Sequence, residues 1–215
     1  ADSAGWGSQL SEICKNIPLP TGKQGKIGLN TAGTVTTGTT SFSGMKLYDF
    51  VQWMDKLVQD GWYVFGNEAN KGAAHISMVY STRDDTLRLT VAADSARGVW
   101  PAPVSAELDY MVLFYDCSKL VSANELNVDN YDEAISCTFE NAPEKDVLEY
   151  IKKLEDAGFR NLGQASGLYV LEKGIYEVNL FLDPDGVKPV EIKLLKHAIA
   201  PVPLPPWPDA LPDDY

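Results

Sequence analysis

The chain has 215 residues, of which 45% are hydrophobic and 22% charged, which is typical of a globular protein with a buried core. No run approaches the roughly 18 apolar residues that cross a bilayer, so we expect no transmembrane segment. The formal net charge of −12 would repel a phosphate backbone, which disfavours nucleic-acid binding.

The first predicted elements follow an opening, ADSAGWGS, that lacks an initiator Met, a basic region and an apolar region. We expect a processed or shortened chain whose targeting segment lay upstream. KIGL at residues 26–29 and TTSFS at residues 39–43 are candidate strands. Residues 30–41 are rich in Thr and Gly, which fits either a flat strand or a mobile loop.

Two segments that lie 97 residues apart share one pattern. Residues 40–62 align with residues 137–159 without a gap, and five positions are identical. Each segment has apolar residues at helical spacing and ends in a similar motif, KLVQDGW in the first and KLEDAGF in the second. The glycines of these two motifs, Gly61 and Gly158, are favourable helix caps because Gly adopts the left-handed conformation at low cost. The pattern predicts equivalent helices at about residues 45–60 and 143–157.

The start of the second helix has the clearer signals. Asn141 predicts a cap, Pro143 fits the first turn and Glu144 lies at the capping-box position. Asp49 and Asp146 fall in the first half of each helix, where a negative charge favours the helix dipole. We interpret these two aspartates as capping or surface residues.

The apolar stripe of each helix predicts the core. In the first helix, Trp53 lies off this stripe, where it is either a contact surface or a core residue. The residues expected in the core are Phe42, Phe50, Met54, Leu57, Phe139, Leu148, Ile151 and Leu154.

Predicted strands flank both helices. EAISCTF precedes the second helix as TTSFS precedes the first, and a short strand, WYVF or FRNL, follows each helix. Two alternating runs then form a hairpin, HISMVYS with TLRLTVA and YEVNLFL with PVEIKLL, around turns at residues 83–85 and 183–186. LDYMVLFYD at residues 108–116 predicts a further strand.

These elements predict an α+β fold built from two tandem copies of one unit: strand, strand, helix, then two or three strands. Each antiparallel sheet should carry one helix on one face. We place the first repeat at residues 1–100, the second at residues 101–200 and a Pro-rich tail at residues 201–215. Trp-Pro follows each copy, at Trp100 and Trp207. The tail should be extended, and is either wrapped on its own domain, disordered or a ligand for an aromatic groove.

The excess negative charge lies in the second half of the chain. Residues 101–215 hold 21 acidic and nine basic side chains. An acidic interaction surface is expected within residues 107–140, with Glu107, Asp129, Asp132 and Glu133 as its candidate residues. Such a field suits a cationic partner or a hard metal ion, although a solvated, solubilising surface is the simpler interpretation.

No catalytic motif is present in the sequence: HExxH, GxSxG, GxGxxG and the P-loop are all absent. His75 and His197 fall in different copies, and nothing places either beside a cysteine. The acidic loops NVDNYDE and DPDG lack EF-hand spacing. We therefore predict a protein that is not an enzyme, with no catalytic residues, no cofactor and no metal site.

The three cysteines, Cys14, Cys117 and Cys137, are too few for a disulfide scaffold. One bridge with one free thiol, or three buried thiols, both fit. If the strand before Cys117 pairs with the strand of Cys137, their α-carbons lie over about 10 Å apart, and a disulfide tolerates no more than about 7 Å. We predict that Cys117 and Cys137 are not bonded to each other.

The opening W-x3-L-x6-IPLP-x-G at residues 6–22, followed by a Thr-rich strand, an amphipathic helix and a hairpin, resembles a known class of module. It is similar to uncharacterised α+β repeat modules of bacterial extracytoplasmic lipoproteins, over residues 6–91 and again over residues 136–196. The resemblance implies an α+β fold and a location outside the cytoplasmic membrane, at the cell surface, in the periplasm or secreted. It leaves room for a lipid anchor upstream of the chain and implies no catalytic residues.

The leading functional hypothesis is a non-catalytic, exported binding or structural module for an unknown protein or cell-envelope ligand. The alternative is a small acidic inhibitor or immunity-type protein that mimics an anionic ligand through residues 107–140. A deep pocket with convergent polar groups and shifted pKa values would instead indicate an enzyme.

Overall fold

The computed structural model describes residues 6, 14–116, 118–183 and 189–199. Within them the predicted α+β class is confirmed, because two antiparallel sheets follow each other along the chain, each with one long helix. The tail at residues 201–215, including Trp207, lies outside the described residues, as do Cys117 and most of the predicted DPDG turn. No helix in the described part of the chain is long and apolar enough to cross a membrane.

The first sheet has seven strands. They are β1 (Lys23–Gln24), β2 (Gly28–Ala32), β3 (Val35–Ser43), β4 (Tyr63–Phe65), β5 (Glu68–Lys71), β6 (Ala74–Ser81) and β7 (Thr86–Asp94). Helix α1 (Leu47–Gln59) joins β3 to β4. The strand order is β1-β3-β7-β6-β5-β4, and β2 pairs with β3 beside β1.

The second sheet has six strands. They are β8 (Lys119–Glu125), β9 (Tyr131–Glu140), β10 (Arg160–Ala165), β11 (Leu168–Lys173), β12 (Tyr176–Phe181) and β13 (Val190–His197). A short helix, α2 (Ala106–Met111), precedes this sheet, and helix α3 (Glu144–Asp156) joins β9 to β10. The strand order is β10-β11-β12-β13-β9-β8.

Both sheets have the same topology. In each, the strand before the long helix lies beside the last strand of the unit, and the remaining strands follow in reverse chain order. The register also agrees, since Phe42 pairs with Leu87 and its counterpart Phe139 pairs with Val190. Helices α1 and α3 begin and end at equivalent positions. The predicted equivalence of the two helices is therefore confirmed.

Each unit has four strands after its long helix, one more than we expected. The additional strands are β5 and β11, which pair with β4 and β10. Each is joined to the next strand by a tight turn at Gly72 or Gly174, whose φ values of 57° and 61° favour glycine. Alternation of apolar and polar residues did not predict these strands, because EANK is too short and LYVLEK is too irregular in polarity.

The strand predicted at residues 108–116 is wrong. The Oγ of Ser105 accepts a hydrogen bond of 3.2 Å from the backbone N of Leu108 and caps α2, so the first part of the run is helical. Leu108, Val112 and Tyr115 are buried at a spacing that also fits a helix. Strand β9 pairs with β13 on one side and with β8 on the other, and β8 was not among the predicted strands.

Three local predictions are resolved by the structure. Residues 30–41 are strand rather than loop, because they contain the end of β2 and most of β3. Asn141 is not the cap of α3, since the N-cap is Pro143 and Asn141 turns the chain with φ 58°. The capping role of Asp49 is confirmed: its carboxylate accepts a hydrogen bond of 3.3 Å from the backbone N of Lys46.

Each unit has its own hydrophobic core between its sheet and its long helix. Trp6 packs edge-on against Phe42 at 5.8 Å in the first core, and Trp100 packs edge-on against Phe139 at 6.2 Å in the second. Each indole also donates to a backbone carbonyl in the segment before its sheet. Trp100 thus packs with the second sheet. The division of the chain into repeats at residues 100 and 101 stays a prediction.

Most of the predicted core residues are buried. Phe42, Leu57, Phe139, Ile151 and Leu154 are buried, and Phe50 and Met54 are partly buried against the first core. Leu148 was wrongly predicted, because it is exposed. Trp53 is a core residue: its indole N donates a 2.7 Å hydrogen bond to the carbonyl of Pro18.

Candidate functional site at the contact between the two units

The segment that follows β7 connects the two units in space as well as in sequence. Leu108 and Val112 pack into the second core, and the other side of α2 lies against β5 of the first sheet. Tyr110 extends from α2 onto the aromatic rings of Tyr63 and Phe65, at 5.8 and 5.1 Å. The second unit therefore supplies a cover for one face of the first sheet.

Asp109 holds this segment in place. Its Oδ1 accepts a 2.7 Å hydrogen bond from the backbone N of Trp100, and its backbone carbonyl accepts one of 2.8 Å from Arg97. Its Oδ2 lies 3.2 Å from Arg97 Nη1, an ion pair by distance whose geometry is not that of a hydrogen bond. A buried carboxylate needs such partners because an unpaired charge is costly inside a protein.

Glu107 is the centre of a polar network beside α2. Its two carboxylate oxygens accept hydrogen bonds from the hydroxyl of Tyr176 at 2.6 Å and from Lys196 Nζ at 2.9 Å. Burial acts to raise the pKa of Glu107, but these two hydrogen bonds and the Lys196 charge outweigh it and hold that pKa below its usual value. Burial likewise acts to lower the pKa of Lys196, and the Glu107 carboxylate raises it above its usual value.

The structure brings together three of the four predicted acidic residues. Glu133 accepts a 2.9 Å hydrogen bond from Ser105, and Asp132 and Glu133 both act with Glu107 to raise the pKa of Lys196. Asp129 is exposed at the turn between β8 and β9. Sequence reasoning missed Lys196 and Tyr176, which lie 89 and 69 residues from Glu107 along the chain and carry no linear signal.

A cavity of about 320 Å³ lies at this contact. The first unit contributes Val58, Trp62 and Tyr63 to its walls, and the second contributes Glu107 and Glu133. Both carboxylates are already hydrogen-bonded to residues of the second unit, so this arrangement mainly fixes α2 against the second sheet. Within the described residues, no group of three or more His, Cys, Asp or Glu is arranged to hold a metal ion.

The histidines and the two described cysteines lie apart from this cavity. His75 Nδ1 is 2.9 Å from Asn70 Oδ1, and His197 Nε2 is 2.7 Å from Glu177 Oε2. Cys14 and Cys137 are free and buried, and burial raises their pKa values to about 12 and about 11. Both thiols are therefore protonated at neutral pH, which disfavours a nucleophilic role.

The prediction for Cys117 is untested, because that residue lies outside the described residues. The hairpin on which it rested is wrong, however. Strand β9 pairs with β8 and β13, and Cys137 lies opposite Ala123 and Ile192 rather than opposite any residue near position 117.

A second candidate surface lies on α1, where sequence reasoning placed part of the core stripe. Leu47, Tyr48, Val51 and Val58 form an apolar stripe on the solvent-facing side, with exposed fractions of 53%, 68%, 41% and 56%. We call these four residues the α1 stripe. Comparison of the two aligned helices could have found it, because α3 has Glu144, Lys145, Leu148 and Glu155 at the equivalent positions.

Comparison with known proteins gives no relative for this chain: no protein-family model, no curated protein and no solved structure matches it.

Proposed function

We propose that this protein is a non-catalytic, exported binding module, and that its partner is a protein whose apolar groove receives the α1 stripe. The observation that carries the proposal is the difference between two equivalent helices. Four large apolar side chains are exposed on α1, whereas Leu148 is the only one exposed on α3. Grouped exposed apolar residues mark interaction sites, whereas single ones are ordinary on protein surfaces.

The geometry of the stripe suits insertion into a groove. Leu47, Val51 and Val58 lie on one side of a helix of 13 residues, and Tyr48 adds a ring beside them. A helix that presents anchors at such spacing is a common means of protein recognition. The far side of α1 is held by Trp53 and Leu57, so the stripe is presented on a rigid element.

The acidic alternative has weaker support. Glu107 and Glu133 are partly buried and bonded to Lys196, Tyr176 and Ser105, so an incoming basic partner would have to displace those contacts. Only Asp129 and Asp132 of the four predicted residues are exposed. The exported location rests on the resemblance to extracytoplasmic lipoprotein modules, and fractionation of the native cells would test it.

Photo-crosslinking in the native cells tests the proposed partner. A photoreactive amino acid at Val51 should give a specific adduct, whereas the same group at Lys145 on α3 should give none. The partner identified in this way is then purified, and its affinity is measured for the wild type and for a variant with Leu47→Glu, Tyr48→Lys and Val58→Glu. This variant gives α1 the side chains found at the equivalent positions of α3.

The variant should bind at least about tenfold more weakly, which corresponds to about 1.4 kcal/mol. Leu148→Glu on α3 is the matched control and should not change the affinity. Equal crosslinking at Val51 and Lys145, or equal affinity of the stripe variant and the wild type, would overturn the proposal.

A further inference from the structure

A row of side chains on the second sheet is buried although it belongs to neither core. Glu177, Leu195 and Ala134 are paired neighbours on β12, β13 and β9, on the face that points away from α3. Leu195 and Ala134 are each only 5% exposed, yet neither is part of the two core clusters. We call these three residues the outer row.

The outer face of a sheet does not by itself bury an aliphatic residue. Val79 lies on the corresponding face of the first sheet and is 58% exposed. Leu195 is larger than valine and is still almost fully shielded. This shielding fits a segment that lies over the outer row.

The first sheet shows what such a cover looks like. The row equivalent to Glu177, Leu195 and Ala134 consists of His75, Ala92 and Thr37. Tyr110 and Leu113, from the segment that follows β7, lie over this row and enclose a cavity of about 250 Å³ with His75 and Ala92.

The segment that follows β13 resembles the one that follows β7. Trp100-Pro101 comes after β7, and Trp207-Pro208 comes after β13. Asp109-Tyr110 follows the first Trp-Pro pair, and Asp214-Tyr215 follows the second. The two segments thus share their aromatic residues, in the same order and at similar distances from the preceding sheet.

We propose that residues 200–215 bind in cis over the outer row of the second sheet, as Tyr110 and Leu113 lie over the equivalent row of the first. The last 15 residues contain six prolines, and an extended proline-rich segment loses little entropy when it binds a flat surface. The rings of Tyr131 and His197, 4.5 Å apart, stand beside Leu195. Proline-rich segments commonly pack on aromatic surfaces of this kind.

The polar partners of the outer row keep this aromatic pair in place. Glu177 Oε2 accepts a 3.4 Å hydrogen bond from the hydroxyl of Tyr131 and lies 2.7 Å from His197 Nε2. Its Oε1 accepts a 2.8 Å hydrogen bond from Asn179. The carboxylate is thus satisfied within the sheet, so the covering segment needs to supply only apolar contact.

Binding of the segment in trans tests the proposal. The chain is shortened to end at Ile199, and a labelled synthetic peptide of residues 200–215 is titrated into the shortened and the full-length protein. The shortened protein should bind the peptide at least tenfold more tightly than the full-length protein, whose outer row is already occupied. Leu195→Glu in the shortened protein should abolish binding, and Val79→Glu, on the exposed face of the first sheet, should not.

A second measurement uses the full-length protein and does not depend on the shortened chain folding. Leu195→Glu should increase the rate of proteinase K cleavage within residues 200–215 at least tenfold, and Val79→Glu should leave it unchanged. Unchanged cleavage in Leu195→Glu would overturn the proposal, as would equal binding of the peptide by both proteins. Self-association of the shortened protein without peptide binding would assign the outer row to a second copy and would also overturn it.

Discussion

The two units share a topology and a register but differ on the solvent side of their long helices. Helix α3 exposes charged residues there, among them Glu144 and Glu155, whereas α1 exposes Leu47 and Val58 at the same positions. On the buried side the two helices remain alike, since Trp53 and Tyr150 each donate a 2.7 Å hydrogen bond to the loop before the sheet. The two units are thus alike on the buried side of their long helices and differ on the exposed side, where α1 carries the proposed binding surface.

The largest effect should follow from a cavity at the centre of each unit. Leu57 and Leu154 are equivalent and fully buried, so Leu57→Ala and Leu154→Ala should each cost about 2–5 kcal/mol. Urea unfolding followed by circular dichroism measures both. Val58→Ala on the exposed side of α1 is the control, with an expected change within about 0.5 kcal/mol. A loss that small for either leucine would break the equivalence of the two cores.

The next effect should come from the polar network that fixes α2 against the second sheet, and it should depend on pH. The pKa of Glu107 is held below its value of about 4.3 in the unfolded chain, so its contribution to stability is present above that value. It is lost as the pH falls through the folded-state pKa. Glu107→Gln should therefore cost about 1.5–3 kcal/mol at pH 7, and the difference from the wild type should shrink below about pH 4.

Unfolding of both proteins in urea between pH 7 and pH 3 measures this difference. Glu149→Gln removes an exposed carboxylate that pairs only with Lys145 on the same helix, and should have little effect at any pH. A constant difference between Glu107→Gln and the wild type across the whole range would show that the carboxylate charge does not stabilise this network.

A smaller effect is expected from the hydroxyl of Tyr150. Tyr150→Phe removes the donor to the carbonyl of Leu113 and leaves the ring in place, which should cost about 1–2 kcal/mol. Thermal or urea unfolding checks the value. Tyr48→Phe on the exposed side of α1 is a control, because its hydroxyl contacts only Gln52 at the surface. If Tyr150→Phe leaves the free energy of unfolding unchanged, the hydrogen bond from Tyr150 to Leu113 does not stabilise the second unit.

The smallest effect concerns two lysines at equivalent places. Lys71 on β5 donates to the carbonyl of Asp60 at the end of α1, and Lys173 on β11 donates to that of Ala157 at 2.8 Å. Each change to Met should cost about 0.5–1.5 kcal/mol, with similar values in the two units. Lys145→Met serves as the surface control. Values that differ by more than about 1 kcal/mol would show that the two caps are not equivalent.

The sequence predicted the elements that depend on local patterns. The helices, their glycine caps and the two hairpins were found because periodicity and turn residues are local signals. The repeat itself was found only in part. Lys71-Gly72 and Lys173-Gly174 are identical, but they lie 102 residues apart rather than 97, so an alignment without gaps does not pair them.

The missed features depend on the tertiary structure. Helical spacing finds the apolar residues of α1 but does not show which of them face the sheet. Trp53 was therefore left open between core and contact surface, and the exposure of the α1 stripe was not predicted. Glu107 was a candidate only because it belonged to an acidic stretch, and its partner Lys196 lies 89 residues away. Contacts at such separation follow from strand order, and no pattern of neighbouring residues shows them.

The cover that α2 places on the first sheet affects the order of folding during synthesis. A chain made from its N-terminus completes β7 at Asp94, well before Tyr110 has been added. Until then, Tyr63 and Phe65 present their rings to solvent on a finished sheet. The first unit thus passes through a stage in which its own fold is complete but its exposed aromatic rings make it prone to aggregation. A released chain that ended between residues 95 and 105 would keep these rings exposed and would be the form most in need of a chaperone.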